Sequence, residues 1–110
     1  MVPQLPASQF PEWLSRRAKA VVLDVREPWE VQLASVRAEG FALRTIPMNE
    51  LPARLTELSP DTALACLCHH GMRSQQVAHF LLQQGFTEVV NLQGGIDAWS
   101  CDLDSSVPRY

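Results

Sequence analysis

No stretch of this 110-residue chain approaches the roughly 18 consecutive apolar residues that a membrane-spanning helix needs. Basic charge is scarce too. Nine Lys and Arg stand against 12 Asp and Glu, for a net charge of −3, whereas a nucleic-acid binder usually carries a basic surplus. That balance still leaves room for a local positive pocket holding a small anion. Cysteine is sparse and odd in number. Cys66, Cys68 and Cys101 do not make the framework of a secreted, disulfide-stapled domain; reduced thiols are expected, with one of them available for chemistry. Met1 to Pro6 lacks a charged region followed by an apolar core, so it does not read as a signal peptide. A soluble cytoplasmic protein with no nucleic-acid or membrane partner is expected. Internal repeats and low-complexity tracts are missing as well.

What is present is ordinary globular composition, 46% hydrophobic and 19% charged, enough to bury a core without disulfides or metals. One domain over residues 1–110 is expected, with its core at about 5–100 and a short polar tail over 101–110. Ala20 to Val25 is a continuous apolar and β-branched run around Asp24, as in a strand buried on both faces. Ala63 to Cys68 and Glu88 to Leu92 read the same way. Ala42 to Ile46 is a weaker strand stopped by Pro47, and Gln4-Leu5 adds a short edge piece. Between them lie helical patterns. Ser8 is placed to cap a helix over Phe10 to Ala18, and Asn49 one over Glu50 to Leu58. Glu27 to Leu33 and Ile96 to Trp99 are shorter. Ser74 to Gln84 is the clearest, with Val77, Phe80 and Leu81 on one face and Gly85 as its stop. Strands alternating with helices predict an α/β fold, a parallel sheet covered on both faces. Ligands of such sheets bind beyond the carboxyl ends of the strands.

One strand end concentrates the chemistry. The run Ala63 to Leu67 ends at Cys68, and His69-His70-Gly71-Met72-Arg73-Ser74 follows directly before the clearest helix. A cysteine there faces unpaired N–H groups and the positive end of a helix dipole, both of which favour a thiolate. Consecutive loop amides there can converge on one point and form an anion nest, and Gly71 lets the backbone turn. Arg73 adds fixed charge and planar donors for an oxyanion. Ser74 is placed to cap the helix and to donate to the anion or the thiolate. The competing reading is a buried strand cysteine followed by an ordinary loop; the Gly, Arg and Ser at fixed spacing favour the nucleophile.

The segment Cys68 to Ser74 resembles the active-site loop of rhodanese-type sulfurtransferases, a cysteine followed by x-x-Gly-x-Arg-Ser. Leu23-Asp24-Val25-Arg26-Glu27-Pro28-Trp29-Glu30 is similar to the family's early strand. Asn91 to Trp99, with Gly94-Gly95, is similar to its Gly-Gly-x-x-x-Trp signature. The resemblance runs from about Leu5 to Trp99. It implies a rhodanese-like open parallel five-stranded sheet with helices on both faces. It also implies transfer of a sulfane sulfur, from thiosulfate or a persulfide donor to a thiol or cyanide acceptor, through a persulfide on Cys68. A sulfur-carrier protein is a further partner it allows. Related phosphatase loops carry one more residue between cysteine and arginine, so the four residues between Cys68 and Arg73 favour sulfur over phosphorus. The alternatives are a non-catalytic binding or redox-sensing module and, behind it, a phosphatase or arsenate reductase.

The remaining residues have quieter readings. Asp24, Arg26 and Glu30 are expected to form an ion-pair or hydrogen-bond network that braces the loop, since charges at a buried strand end are rarely unpaired. His69 and His70 are expected to be solvent-facing walls of the donor site, and Met72 part of the same wall. With no third ligand at metal-ligand spacing, neither a zinc site nor another cofactor is expected. Cys66, two residues before Cys68, is assigned to core packing, Cys101 to the tail, and Trp99 to a packing anchor. The chain departs from the family pattern between Val31 and Met48, where Ala34 to Phe41 replaces the usual Gly-His-Ile and Gly-Ala segment. Arg37 and Arg44 within it are read as solvated surface.

Overall fold

The computed structural model describes residues 2–110. Five strands, β1 (Gln4–Pro6), β2 (Val21–Asp24), β3 (Ala42–Thr45), β4 (Leu64–Leu67) and β5 (Val89–Gln93), form one sheet in the order β1-β5-β4-β2-β3. Every pairing is parallel, with Leu23 opposite both Arg44 and Cys66, and Cys66 opposite Asn91. The α/β fold expected from the alternating pattern is the fold observed.

Four α-helices cover the sheet: α1 (Phe10–Ser15), α2 (Pro28–Leu33), α3 (Met72–Gln83) and α4 (Gly95–Asp102). Alternation along the central strands separates two cores. Leu23, Leu64 and Cys66 pack with Val77, Ala78 and Leu81 of α3 and with Leu51. Val22, Ala65 and Leu67 pack on the other face with Phe10, Trp13, Ile96 and Trp99. Trp99 is the packing anchor the sequence suggested: its ring lies 4.8 Å from that of Phe10 and 6.1 Å from that of Phe41.

Several local expectations are corrected. Ser8 lies inside a 3-10 turn over Ala7–Gln9 rather than at a cap, and α1 ends at Ser15. Met48–Glu57 winds as successive 3-10 turns, not as an α-helix. Pro52 sits within it, and a proline there removes an amide and clashes with the preceding turn of an α-helix. The Val31–Met48 connection leaves α2 at Leu33, buries Ala34 and Val36, and enters the edge strand β3. Arg37 and Arg44 pair on the surface with Asp104 and Glu57. The polar tail does not trail into solvent: Val107 is buried and its carbonyl accepts a bond from Ser100 Oγ at 2.6 Å.

Because all strands run the same way, the ends of β2, β4 and β5 meet at one edge of the sheet. That edge brings Asp24, Cys68 and the Gly94-Gly95 pair together.

Candidate active site

Cys68 is the first residue beyond β4 and is 1% exposed. The chain turns through His69 and His70 to Gly71, which has a φ of 101° and is the N-cap of α3. The turn brings the Gly71 N–H to 3.0 Å from Cys68 Sγ, donating to it. Sγ therefore lies at the N-terminal end of a 12-residue helix, where first-turn amides lack intrahelical acceptors and the dipole favours negative charge.

Ser74 differs from its expected role. The helix begins at Met72 and no side chain caps it, so Ser74 lies inside the first turn and is fully buried. Its hydroxyl stands 3.3 Å from Cys68 Sγ and 2.5 Å from Asn91 Oδ1. A hydroxyl has one proton and two acceptor sites. With a thiol at Cys68, the S–H donates to Ser74 and Ser74 donates to Asn91. With a thiolate, the same hydroxyl can turn its proton to sulfur. Asn91 Nδ2 completes the brace, donating to Gly71 O at 3.0 Å and Gln4 Oε1 at 2.9 Å. Sequence reading placed Asn91 in the C-terminal motif without a role. The available signal was a polar residue inside an otherwise apolar strand.

The back of the loop rests on α4. Ile96 N donates to Cys68 O at 2.8 Å and Asp97 N to His69 O at 3.2 Å. Two orphan amides of one helix thereby fix the carbonyls on either side of the Cys68–His69 peptide junction. Such close approach requires Gly95. A Cβ there would stand under 3.0 Å from Cys68 O and His69 O, and its φ is +61°. Gly95→Ala is expected to cost about 2–4 kcal/mol in urea denaturation through combined strain and overlap. It should also change the alkylation rate of Cys68. Gly85→Ala, at φ +95° but with nothing within 4 Å, carries the strain alone and should cost only about 1 kcal/mol.

Arg73, expected to offer its fork to an oxyanion, is paired with a carboxylate in this structure. Nη1 and Nη2 donate to Glu30 Oε2 and Oε1 at 2.7 and 2.8 Å. The cause is burial: the Glu30 side chain is 4% exposed, and a buried carboxylate needs a cation. Arg73 holds that carboxyl far below the usual carboxylate range, at about 2, and Glu30 in turn raises Arg73. The lowered value means that the pair's contribution to stability is present above the ordinary carboxyl range and lost as pH falls through about 2.

Asp24 and Arg26 form the second pair, both buried, with Arg26 Nε and Nη2 donating to Asp24 Oδ1 and Oδ2 at 2.9 and 2.7 Å. Glu30 joins it through its carbonyl, which accepts from Arg26 Nη1 at 3.3 Å, and through the hydroxyl of Tyr110. Thus Asp24, Arg26 and Glu30 do meet, and Tyr110 is a member that sequence reading missed. His69 is not solvent-facing. It is partly buried between the rings of His70 and Tyr110, at centroid distances of 4.0 and 3.9 Å. His70 and Met72 are exposed. Cys66 is fully buried, and burial pushes its thiol up to about 12; Cys101 is exposed on α4. Beside the loop lies an open groove of about 1060 Å³, lined by His70, Gly71 and Met72 and by the neutral amides of Gln4, Gln75 and Gln93.

The thiol at this strand end accepts the Gly71 N–H and faces the Ser74 hydroxyl at a helix N-terminus, partners suited to a sulfur-centred anion. The model of the rhodanese-like domain matches residues 8–102, and the chain belongs to that family. Among its relatives is a sulfurtransferase of Allochromatium vinosum, 33% identical over 103 residues, covering 91% of this chain and 90% of the relative. Another is the thiosulfate sulfurtransferase GlpE of Stutzerimonas stutzeri, 35% identical, covering 84% of this chain and 81% of the relative. A rhodanese-like/PpiC domain-containing protein 12 of Arabidopsis thaliana is 40% identical, but the chain spans only 31% of its length. The crystal structure of a rhodanese-related protein from Thermoplasma volcanium superposes with a TM-score of 0.77 at 33% identity, covering 92% and 93% of the two chains.

Proposed function

We propose that the chain is a sulfurtransferase that carries a sulfane sulfur on Cys68, taken from thiosulfate or a persulfide donor and given to a thiophilic acceptor. The observation that carries this reading is the position of Cys68 Sγ. It meets the Gly71 N–H at 3.0 Å and the Ser74 hydroxyl at 3.3 Å at the N-terminus of α3. In the first half-reaction the Cys68 thiolate attacks the outer sulfur of the donor. A sulfur–sulfur bond forms at the protein, the donor's own bond breaks, and sulfite or a thiolate leaves with the electron pair. The enzyme now holds an anionic persulfide, for which the loop amides are suitable partners. In the second half-reaction cyanide or a thiolate attacks the terminal sulfur and the Cys68 thiolate departs. A covalent intermediate of this kind gives ping-pong kinetics.

His69, His70, Gly71, Met72, Arg73 and Ser74 form the surrounding loop in this reading, and Asp24, Arg26 and Glu30 hold it. The groove beside the loop gives an acceptor thiol room to approach, whether on a small molecule or on a carrier protein. Three free cysteines agree with a reducing, cytoplasmic setting, and no helix among the described residues is long and apolar enough to cross a membrane. The test is intact-mass measurement after incubation with thiosulfate. The expected result is a gain of one sulfur atom that cyanide removes. If neither thiosulfate nor a persulfide donor leaves such an adduct, the domain is a non-catalytic module.

A further inference from the structure

Tyr110 lies 42 positions beyond Cys68 in the chain, yet it touches three parts of the site at once. Its ring stacks on that of His69, the residue after Cys68, with an interplanar angle of 8° and centroids 3.9 Å apart. Its hydroxyl donates to Glu30 Oε1 at 2.9 Å and accepts from Arg26 Nη1 at 3.1 Å. Glu30 is the carboxylate that grips Arg73. A single side chain therefore joins the buried Asp24–Arg26 pair, the Glu30–Arg73 pair and the wall of the loop. The segment that delivers it is fastened along its length. Val107 is buried and bonded to Ser100, Arg37 pairs with Asp104 at 3.0 Å, and Arg109 pairs with Asp97 at 2.9 Å.

We propose that Tyr110 is a positioning residue for anion recognition at Cys68, acting through Glu30 on Arg73 and through its ring on His69. Arg73 is not a free fork: Nη1 and Nη2 donate to the Glu30 carboxylate, which decides where its charge sits. Glu30 accepts from the Glu27 N–H, from Arg73 and from Tyr110, so the phenol is the one partner of its carboxylate supplied by the returning segment. Burial raises the phenol's ionisation above its ordinary value, which keeps it a neutral donor to Glu30 at physiological pH. Removing the hydroxyl leaves Glu30 Oε1 with Arg73 Nη2 as its donor and takes the phenol acceptor from one Arg26 N–H, while leaving the ring on His69. Removing the ring frees His69 as well. The two losses are separable in Tyr110→Phe and Tyr110→Ala.

The proposal rests on the sulfur-transfer reading only for its kinetic arm. Tyr110→Phe is expected to raise KM for thiosulfate about fivefold, the effect of one hydrogen bond of about 1 kcal/mol, with kcat changed much less. Tyr110→Ala should raise KM further. In a Glu30→Gln background the effect of Tyr110→Phe should shrink, because the two residues act as one unit. A second arm needs no sulfur transfer. Alkylation of Cys68 by anionic iodoacetate and by neutral iodoacetamide gives a rate ratio that reads anion recognition. That ratio is expected to fall in Tyr110→Phe and to fall further in Tyr110→Ala. A Tyr110→Phe protein with the wild-type ratio overturns the proposal, whatever Tyr110→Ala does to the melting temperature. If wild-type protein takes up no sulfur but the ratio still falls, the sulfur-transfer reading fails and the role of Tyr110 stands.

Discussion

Exchanging Cys68 for serine should abolish sulfur uptake, by about a thousandfold or more, and leave the fold standing. The two halves of that expectation have different causes. Serine keeps the size and polarity that the site accommodates: the Gly71 N–H and the Ser74 hydroxyl face this position and both can bond an oxygen. The stability cost is therefore that of adjusted hydrogen bonds, about 1 kcal/mol, visible in thermal melts. The chemistry has no such tolerance. A serine hydroxyl is not appreciably ionised near neutrality, and oxygen cannot hold a sulfane sulfur as a persulfide. The comparison that gives the result meaning is Cys66→Ala. Cys66 belongs to the same core cluster as Cys68, but burial pushes its thiol up to about 12, so it is neutral and shielded at working pH. Its variant should still take up sulfur, as should Cys101→Ser. Both readouts come from one intact-mass experiment with thiosulfate, followed by cyanide. Persistent cyanide-labile sulfur in Cys68→Ser would move the chemistry to another thiol.

The electrostatics around Cys68 explain why the loop amides matter so much. Both nearby arginines are already matched, Arg26 by Asp24 and Arg73 by Glu30. Glu30 fixes where the Arg73 charge is held, and that charge interacts with Cys68. Further stabilisation of an anion comes from the Gly71 N–H and the N-terminus of α3, which are fixed in place and need no reorganisation when charge develops. That arrangement depends on backbone geometry, hence on Gly71 in its left-handed conformation and on the close seat that Gly95 provides for the Cys68 and His69 carbonyls.

The sheet was legible in the sequence because its central strands are buried on both faces. Val21 to Asp24 and Leu64 to Leu67 are nearly uninterrupted apolar runs, and α3 between β4 and β5 carries a clear apolar stripe. Strand order was not legible beyond the expectation of a parallel sheet, since no local pattern records which strand pairs with which. The winding of Met48–Glu57 was not legible, because Leu51, Leu55 and Leu58 share a face at helical spacing while Pro52 interrupts α-helical hydrogen bonding. The loop from Cys68 to Ser74 was legible as a unit because its residues are contiguous. What the sequence hid are pairings across long separations. Arg73 and Glu30 are 43 positions apart, Ser74 and Asn91 are 17, and Tyr110 stands 80 from Glu30 and 84 from Arg26. Tyr110 sits in a polar stretch without periodicity, where nothing local distinguishes a buried ring from a solvated one.

The largest loss of stability is expected from Asp24→Ala, about 3–5 kcal/mol in urea denaturation. The reason lies with the partner left behind. Arg26 is 0% exposed, and all five of its side-chain N–H groups have acceptors: two on Asp24, and one each on Ala34 O, Glu30 O and the Tyr110 hydroxyl. Alanine removes both carboxylate oxygens and leaves a buried cation with three neutral acceptors and no counter-charge. Asp24→Asn keeps one acceptor and the shape, so it should fall between alanine and wild type. The pair itself is not what stabilises the domain, because taking two charges out of water offsets most of their attraction. An apolar pair of similar volume, Asp24→Leu with Arg26→Met, should therefore recover much of the stability that Asp24→Ala loses. It should not recover the site. Arg26 ties the end of β2 to Ala34 beyond α2, to the Glu30 carbonyl and to Tyr110, and those contacts carry position onward to Glu30 and Arg73. The double variant is expected to melt close to wild type and yet lower the ratio of iodoacetate to iodoacetamide alkylation rates at Cys68. A double variant that keeps both stability and ratio would show that the buried pair serves neither.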